Sequence, residues 1–265
     1  MADHDQPWYD RFFRKEYLVF DDHPETALEV EFIQQALPLT PQTHVLDLCC
    51  GYGRHTHPLA EACAIVGLDR SQVMLDRAAS QDTSSARFLR GDMRHLPFPP
   101  EQFAVVLSLF SSFGYFDGED ENYRVLQGIS DTLTPGGRFL IETVNREFVV
   151  RHSAPQQVYR PENMTLIEER SFDPISSRSS VDVTVFENGF HRLTHSSLTD
   201  LPSAFPKTYQ QLSQAANLKN RDQRPWVNSR PASPKKTSRS RYSIDHKKNT
   251  GMTLYTHLCS TDFCY

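Results

Sequence analysis

The sequence predicts an α/β fold, a doubly wound and mostly parallel sheet preceded by helices and followed by an antiparallel insertion. Three observations carry this. Short strand-type runs at His44–Leu48, 64–68, 87–89, 103–109 and 138–144 alternate with stretches of helical periodicity, the pattern that βαβ crossovers produce. The run 103–109 is apolar almost throughout, as a strand buried on both faces requires. Past residue 158 the apolar positions recur at period two, and Asn188-Gly189 sits between two such runs, which signals a hairpin.

The elements follow in order. Trp8, Phe12, Phe13 and Tyr17 recur at helical spacing, and Ala27, Val30, Ile33 and Leu37 do so after Pro24. Two helices over 8–36 are therefore expected, closed by Pro38 and Pro41. The strand His44–Leu48 runs into a turn holding Gly51 and Gly53, with a helix over about 54–62. The strand 64–68 ends in Asp69, and Ser71 is placed to cap a helix carrying Val73, Met74, Leu75 and Ala78. Strands at 87–89 and 103–109 come next. A helix over 119–133 is expected to turn Tyr123, Leu126, Ile129 and Leu133 inward. Pro135-Gly136-Gly137 makes a turn into the fifth strand, 138–144. Runs at 165–171 and 180–186 alternate apolar and polar, as the antiparallel insertion should. Beyond His195 the patterning weakens. One helix fits 201–218 and one strand 253–258, while 221–248 is rich in Arg, Lys, Ser and Pro, a disordered composition.

Bulk properties exclude several classes. The 265 residues suit one α/β domain with additions. No apolar run approaches the roughly 18–20 residues of a membrane span, and the charged, aromatic first twenty residues lack a signal core. A cytoplasmic protein without membrane contact is expected. Five cysteines, an odd number with no CxxC pair, support neither a disulfide scaffold nor a zinc site; no metal is expected. Charge is uneven. Residues 219–248 hold ten Lys/Arg against two Asp, inside a chain whose net charge is −5.

The chemistry starts at the first turn. A strand ending in Asp47 and Leu48, then Cys49, Gly51 and Gly53, then a helix, lets backbone approach a ligand closely. Alone, such a turn indicates only some nucleotide-like cofactor. Asp69 ends the second strand, where a carboxylate accepts hydrogen bonds from ribose hydroxyls. Asp92 follows the third strand, placed to accept from an adenine amino group with Met93 on the ring. A dinucleotide would need the full Gly-x-Gly-x-x-Gly cradle. Its third position here is Thr56, which argues against a nicotinamide-dependent oxidoreductase.

Taken together, Val45-Leu46-Asp47-Leu48 through Gly51-Tyr52-Gly53-Arg54-His55, Gly67-Leu68-Asp69 with Ser71, Gly91-Asp92-Met93-Arg94 and Pro135-Gly136-Gly137 resemble a class I S-adenosylmethionine (SAM)-dependent methyltransferase. Ser111-Ser112-Phe113-Gly114-Tyr115-Phe116 and the aromatic lead-in resemble an uncharacterised small-molecule branch of that family. The resemblance covers about residues 8–195. It implies a Rossmann-like fold with SAM as cofactor. Asp47, Cys49, Gly51 and Gly53 would hold the methionine part, Asp69 and Arg70 the ribose side, Asp92 and Met93 the adenine, and Leu109 and Phe110 would lie along the cofactor. Tyr9 and Tyr17 belong to an N-terminal segment that would cover the site. Two departures stand out: Cys49 and His55 replace the outer glycines of the usual turn, and Ala104 stands where the fourth strand usually has Asp.

Because a sulfonium methyl is already activated, the protein has mainly to align an acceptor. A base is needed only where the acceptor must lose a proton. Tyr115 and Glu142 rank first as catalytic candidates by position, ahead of Asp117, Asn145, Arg146 and His55. No Asn-Pro-Pro-Tyr-type loop follows the fourth strand, so nucleic acid is not the expected partner. The aromatic stretch 109–116 points to a small-molecule acceptor with an amine or hydroxyl. The sequence does not specify oligomeric state. The expected organisation is a helical lid over 1–40, a SAM-binding core over 41–157, an antiparallel insertion over 158–198 and an atypical basic segment over 199–265. That last segment lacks the pair of strands that should complete the sheet, as a reading-frame change near 195–220 would produce. A degenerate, weakly active methyltransferase-like protein is the alternative reading.

Overall fold

The computed structural model describes residues 6–21, 23–81, 85–143, 149–151, 154–160, 163–176, 178–200, 223–225 and 242–244. Strands β1 (His44–Leu48), β2 (Ala64–Asp69), β3 (Arg87–Arg90), β4 (Phe103–Ser108) and β5 (Leu133–Ile141) form one parallel sheet in the order β3-β2-β1-β4-β5. Val45, Leu46 and Leu48 in the central strand are fully buried. The order reverses between β1 and β4, so the loops leaving them diverge to opposite faces and open a crevice at their carboxyl ends.

Helices cover both faces: α1 (Trp8–Phe12), α2 (Tyr17–Phe20), α3 (Thr26–Ala36), α4 (Thr56–Leu59), α5 (Gln72–Ala79) and α6 (Glu119–Thr132). One core layer joins Leu46, Leu48, Val106 and Phe139 to Val125, Leu126 and Ile129 of α6. The other joins Val45, Ile65, Val105 and Leu107 to Val30 and Ile33 of α3. Ser71 caps α5 as expected, accepting from the Met74 N–H.

Several expectations are corrected. The lead-in makes three helices, not two, because Phe13 leaves the helical region at φ −84°, ψ 67° and the chain turns before Tyr17. The helix expected over 54–62 shrinks to α4: the turn consumes residues up to His55, and Ala64 already pairs with Thr43 at 3.0 Å. Tyr123 is 41% exposed. The inward stripe of α6 runs through Val125, Leu126, Ile129 and Thr132, and 100° per residue carries Tyr123 away from it. Strand β5 begins at Leu133 and absorbs the Pro-Gly-Gly turn as an irregularity, Gly136 taking φ +80°, with register shifting between Phe103 and Val105. It ends at Ile141, short of the expected 144, because the Glu142 carbonyl turns to accept from the Ser111 N–H in the loop after β4.

The insertion is a four-stranded antiparallel sheet, β6 (Gln156–Tyr159), β7 (Met164–Asp173), β8 (Arg178–Glu187) and β9 (Phe190–Asp200), in that order. Asn188 (φ 52°) and Gly189 (φ 81°) close β8 onto β9, the all-positive pair that a tight hairpin needs. Val181, Val183 and Val185 alternate inward against Phe12, Tyr17 and Met74. The insertion thus backs the N-terminal helices. A short antiparallel pair, β10 (Gln223–Pro225) with β11 (Tyr242–Ile244), is also described. The helix expected over 201–218, the strand over 253–258 and most of the basic stretch lie outside the described residues. Among those residues, no helix is long and apolar enough to cross a membrane, and no His/Cys/Asp/Glu group is arranged to hold a metal ion.

Candidate active site

A cleft of about 610 Å³ opens at the carboxyl ends of β1 to β4 and is roofed by the N-terminal helices. Of the residues picked from sequence, it is lined by Tyr9, Tyr17, Asp47, Cys49, Gly51, His55, Asp69, Arg70, Asp92, Met93, Leu109, Phe110 and Tyr115. Gly53 and Glu142 do not line it. Gly53 is required for packing: at φ +80° a Cβ would sit 2.8 Å from Phe88 Cζ and 2.9 Å from His57 Cδ2. Gly51, at φ +56°, has nothing within 4 Å of a Cβ position and faces the cleft. Cys49 also holds a left-handed conformation, φ 61°, which explains why glycine is the usual residue at this place.

Asp69 braces the turn. Its carboxylate accepts from the Gly51 N–H and the Ser71 N–H, both at 2.8 Å. Burial pushes its carboxyl up, partly offset by those backbone donors. Asp47 lies beneath the turn, 2% exposed. Burial raises its carboxyl to about 6, against the hydrogen bond from Thr56 Oγ1 at 2.6 Å and the nearby Arg54 charge. Thr56 is thus committed to Asp47 and does not cradle phosphate. The Cys49 thiol is driven well above its ordinary range by burial and then by Asp69 and Asp47, so it is not a thiolate nucleophile.

Asp92 sits in an ion network across the mouth of the cleft. Arg70 pairs with it at 2.7 Å and with Asp10 of α1 at 2.6 and 2.9 Å. Arg94 adds a second pair to Asp92 at 2.6 Å. Burial works to raise the Asp92 carboxyl, and the bonds and charges of Arg94 and Arg70 outweigh it and hold it down at about 2. Arg70 also lies 5.4 Å from the Tyr9 ring centroid. The N-terminal helix is therefore clasped to the cleft through the same residue expected beside the ribose.

Sequence reasoning missed Asp10, Asp21, His23 and Glu29. Each needs a partner distant in the chain or lies in an irregular turn, and no periodicity marks it. Glu29 of α3 binds both Arg54 and His55, the latter at 2.8 Å. Burial acts to raise Glu29, but the His55 hydrogen bond and the Arg54 charge hold it well below the usual carboxylate range. Burial lowers the His55 imidazole to about 4 despite Glu29, so the pairing cation is Arg54 and His55 stays a neutral donor. Arg54 lines the cleft, its Cζ 4.7 Å from the Phe110 ring centroid, and its Nη2 is buried without a partner.

The two leading catalytic candidates change role. Tyr115 packs on Trp8 (4.8 Å) and stacks on Phe13 (6.0 Å). Burial raises its phenol above the ordinary tyrosine range, and these ring contacts make it part of the cleft wall. The Glu142 carboxylate accepts from the Phe110 N–H at 3.0 Å, and its carbonyl accepts from the Ser111 N–H at 3.1 Å. Phe110 (φ 54°) and Ser111 (φ 57°) are both left-handed; Glu142 braces that turn. Asp117 is exposed and pairs with Arg178. Asn145 and Arg146 lie outside the described residues.

Residues 45–137 match the family model described as a methyltransferase domain. A 2-phytyl-1,4-naphtoquinone methyltransferase of Synechococcus elongatus is 33% identical over 129 residues, covering 45% of this chain and 53% of that protein. The dTDP-3-amino-3,4,6-trideoxy-alpha-D-glucopyranose N,N-dimethyltransferase of Streptomyces venezuelae is 33% identical over 105 residues, 39% of this chain and 44% of that protein. In fold, the chain is similar to the SAM-bound amino pentose methyltransferase CalS10 of Micromonospora echinaspora. The TM-score is 0.57 at 22% identity, over 76% of this chain and 86% of that one. Residues 45–137 are thus similar to a methyltransferase domain, and the chain shares the Rossmann-like fold of that SAM-bound structure. It spans about half the length of the curated relatives it matches.

Proposed function

We propose that the chain binds SAM in this cleft and transfers its methyl group to an amine or hydroxyl of a small molecule. One observation carries the reading: acids from three successive strand ends, Asp47, Asp69 and Asp92, line one cleft with an open glycine turn at its floor. SAM supplies an electrophilic methyl on a sulfonium. The residues present fit it. Asp47 suits the ammonium group, and the buried, unpartnered Arg54 Nη2 suits the carboxylate. Asp69 keeps acceptor capacity for ribose hydroxyls, and Asp92 with Met93 lies where adenine would sit. A pyrophosphate is disfavoured by the carboxylate under the turn and by the engaged Thr56. The volume falls within the roughly 300–1,000 Å³ typical of small-ligand sites, and the named quinone and amino-sugar relatives support a small acceptor.

Isothermal titration with SAM, S-adenosylhomocysteine and NAD tests the cofactor. Micromolar binding of the first two without NAD binding is expected. Folded protein that binds neither sulfur ligand refutes the reading and favours a degenerate domain. Screening amines, phenols, amino sugars and quinols for S-adenosylhomocysteine release tests the acceptor class; transfer only to nucleic acid or protein refutes it.

A further inference from the structure

We propose that His23, oriented by Asp21, is the general base of this site, and that the acceptor presents a hydroxyl or an ammonium proton to its Nδ1. The proposal rests on the methyl-transfer reading above. It starts from a side-chain pair that no motif marks. His23 and Asp21 lie in the turn between α2 and α3, and both line the cleft. His23 Nε2 and Asp21 Oδ1 are hydrogen-bonded, with the two side chains 11% and 4% exposed. Asp21 is itself held by hydrogen bonds with the Tyr17 and Tyr52 side chains.

A carboxylate on one ring nitrogen sets the tautomer: the proton sits on Nε2 and the lone pair on Nδ1. Among the described residues no hydrogen bond is given to Nδ1, and His23 lines the cleft. The His23 ring meets the edge of Phe110 at 4.5 Å. Arg54 takes up Phe110 from the glycine-turn side at 4.7 Å. The imidazole is therefore placed beside the residue expected to lie along the cofactor, at the end nearest the methionine part. Of the nearby titratable groups, Tyr52 is bonded to Asp21, Glu29 pairs with Arg54 and His55 and does not line the cleft, and Asp47 is assigned above to the ammonium group of the cofactor.

The step balances without a further reagent. An ammonium acceptor first gives its proton to His23 Nδ1, which frees the nitrogen lone pair; as that lone pair, or one on a hydroxyl oxygen, forms a bond to the methyl carbon, the carbon–sulfur bond breaks and its electron pair stays on sulfur. His23 Nδ1 takes the proton that the acceptor loses. Asp21 stabilises the resulting imidazolium, which returns the proton to solvent after product leaves. Neither Tyr115 nor Glu142 is needed.

The test uses the full chain with ¹⁵N-labelled histidine, loaded in turn with SAM and with S-adenosylhomocysteine. A downfield Nε2–H resonance is expected, and it should vanish in Asp21→Asn and in His23→Gln. It should move when the sulfonium of SAM replaces the neutral thioether, because the charge acts at that end of the cleft. With an acceptor from the screen, His23→Gln should lower kcat by about 100-fold or more. KM and S-adenosylhomocysteine affinity should stay within about twofold, and free imidazole should restore activity to His23→Gly. If both sulfur ligands bind but the resonance is the same with each, His23 is remote from the methyl group and the proposal fails. Retained activity in His23→Gln also overturns it. If neither sulfur ligand binds, the methyl-transfer reading fails and takes this proposal with it.

Discussion

Asp47 should trade stability for binding. Its carboxyl is raised by burial from an ordinary 3.8 to about 6. The folded state thus holds this proton more tightly than the unfolded chain does. The favourable contribution is complete below the unfolded value and is lost as pH rises through about 6. At pH 7 the buried charge costs about 3 kcal/mol, from roughly 1.4 kcal/mol per pKa unit. Asp47→Asn removes the charge and keeps an oxygen for the Thr56 hydroxyl. Urea unfolding of the ligand-free variant at pH 7 should therefore show a gain of up to about 3 kcal/mol, and the gain should fade toward pH 4. Ligand binding should move the other way. An ammonium group beside Asp47 needs the carboxylate ionised, so calorimetric SAM affinity should fall about tenfold between pH 7 and pH 5 as Asp47 takes up its proton. Asp47→Asn should bind at least about tenfold more weakly at pH 7, with that pH dependence gone. Wild-type affinity unchanged between pH 5 and pH 7 would refute the reasoning. A dependence that survives in Asp47→Asn would move it to Asp69, whose carboxyl is also raised.

Other perturbations separate binding from scaffolding. Gly53→Ala forces a Cβ against Phe88 and His57 at φ +80° and should cost about 2–4 kcal/mol of unfolding free energy. Gly51→Ala meets nothing and should cost only about 1 kcal/mol, yet weaken SAM binding by tenfold or more in calorimetry. Equal effects of the two on stability would contradict the assignment of Gly51 to the ligand and Gly53 to packing. Glu142→Gln retains an acceptor for the Phe110 N–H and should keep SAM affinity within about twofold, whereas Glu142→Ala should release the strained turn and weaken binding about tenfold. Glu29→Gln should destabilise the fold by about 3 kcal/mol or more, because it leaves the Arg54 charge buried without its counterion. In wild type, the contribution of Glu29 is present above its unfolded value and lost as pH falls below it. An acid-unfolding midpoint unchanged in Glu29→Gln would count against this.

The parallel sheet was legible in advance because its signals are local and periodic. The runs 103–109 and His44–Leu48 bury both faces, and Ser71 caps its helix within one turn of chain. The three acids at strand ends were equally readable: parallel strands in this topology deliver their carboxyl ends to one edge, so Asp47, Asp69 and Asp92 had to share it. Boundaries failed where tertiary contacts override propensity. The aromatic lead-in breaks into α1 and α2 so that Trp8, Phe13 and Tyr115 can pack together, and the Pro-Gly-Gly turn is pulled into β5 by pairing with β4.

Roles within the site divide along the same line. Which residue types meet at the cleft follows from the order of strands, and that order is written in the chain. Which of them hold a ligand and which hold each other depends on distances between segments remote in sequence. Asp10 reaches Arg70 across sixty residues, Glu29 reaches His55 across twenty-six, and Glu142 reaches Phe110 across thirty-two. A charge or hydrogen bond acts over a few ångströms of space, and residue types alone do not state those spacings. Only folding turned Glu142 from a candidate base into a brace, and only folding placed His23 beside Phe110 with Asp21 on its far nitrogen.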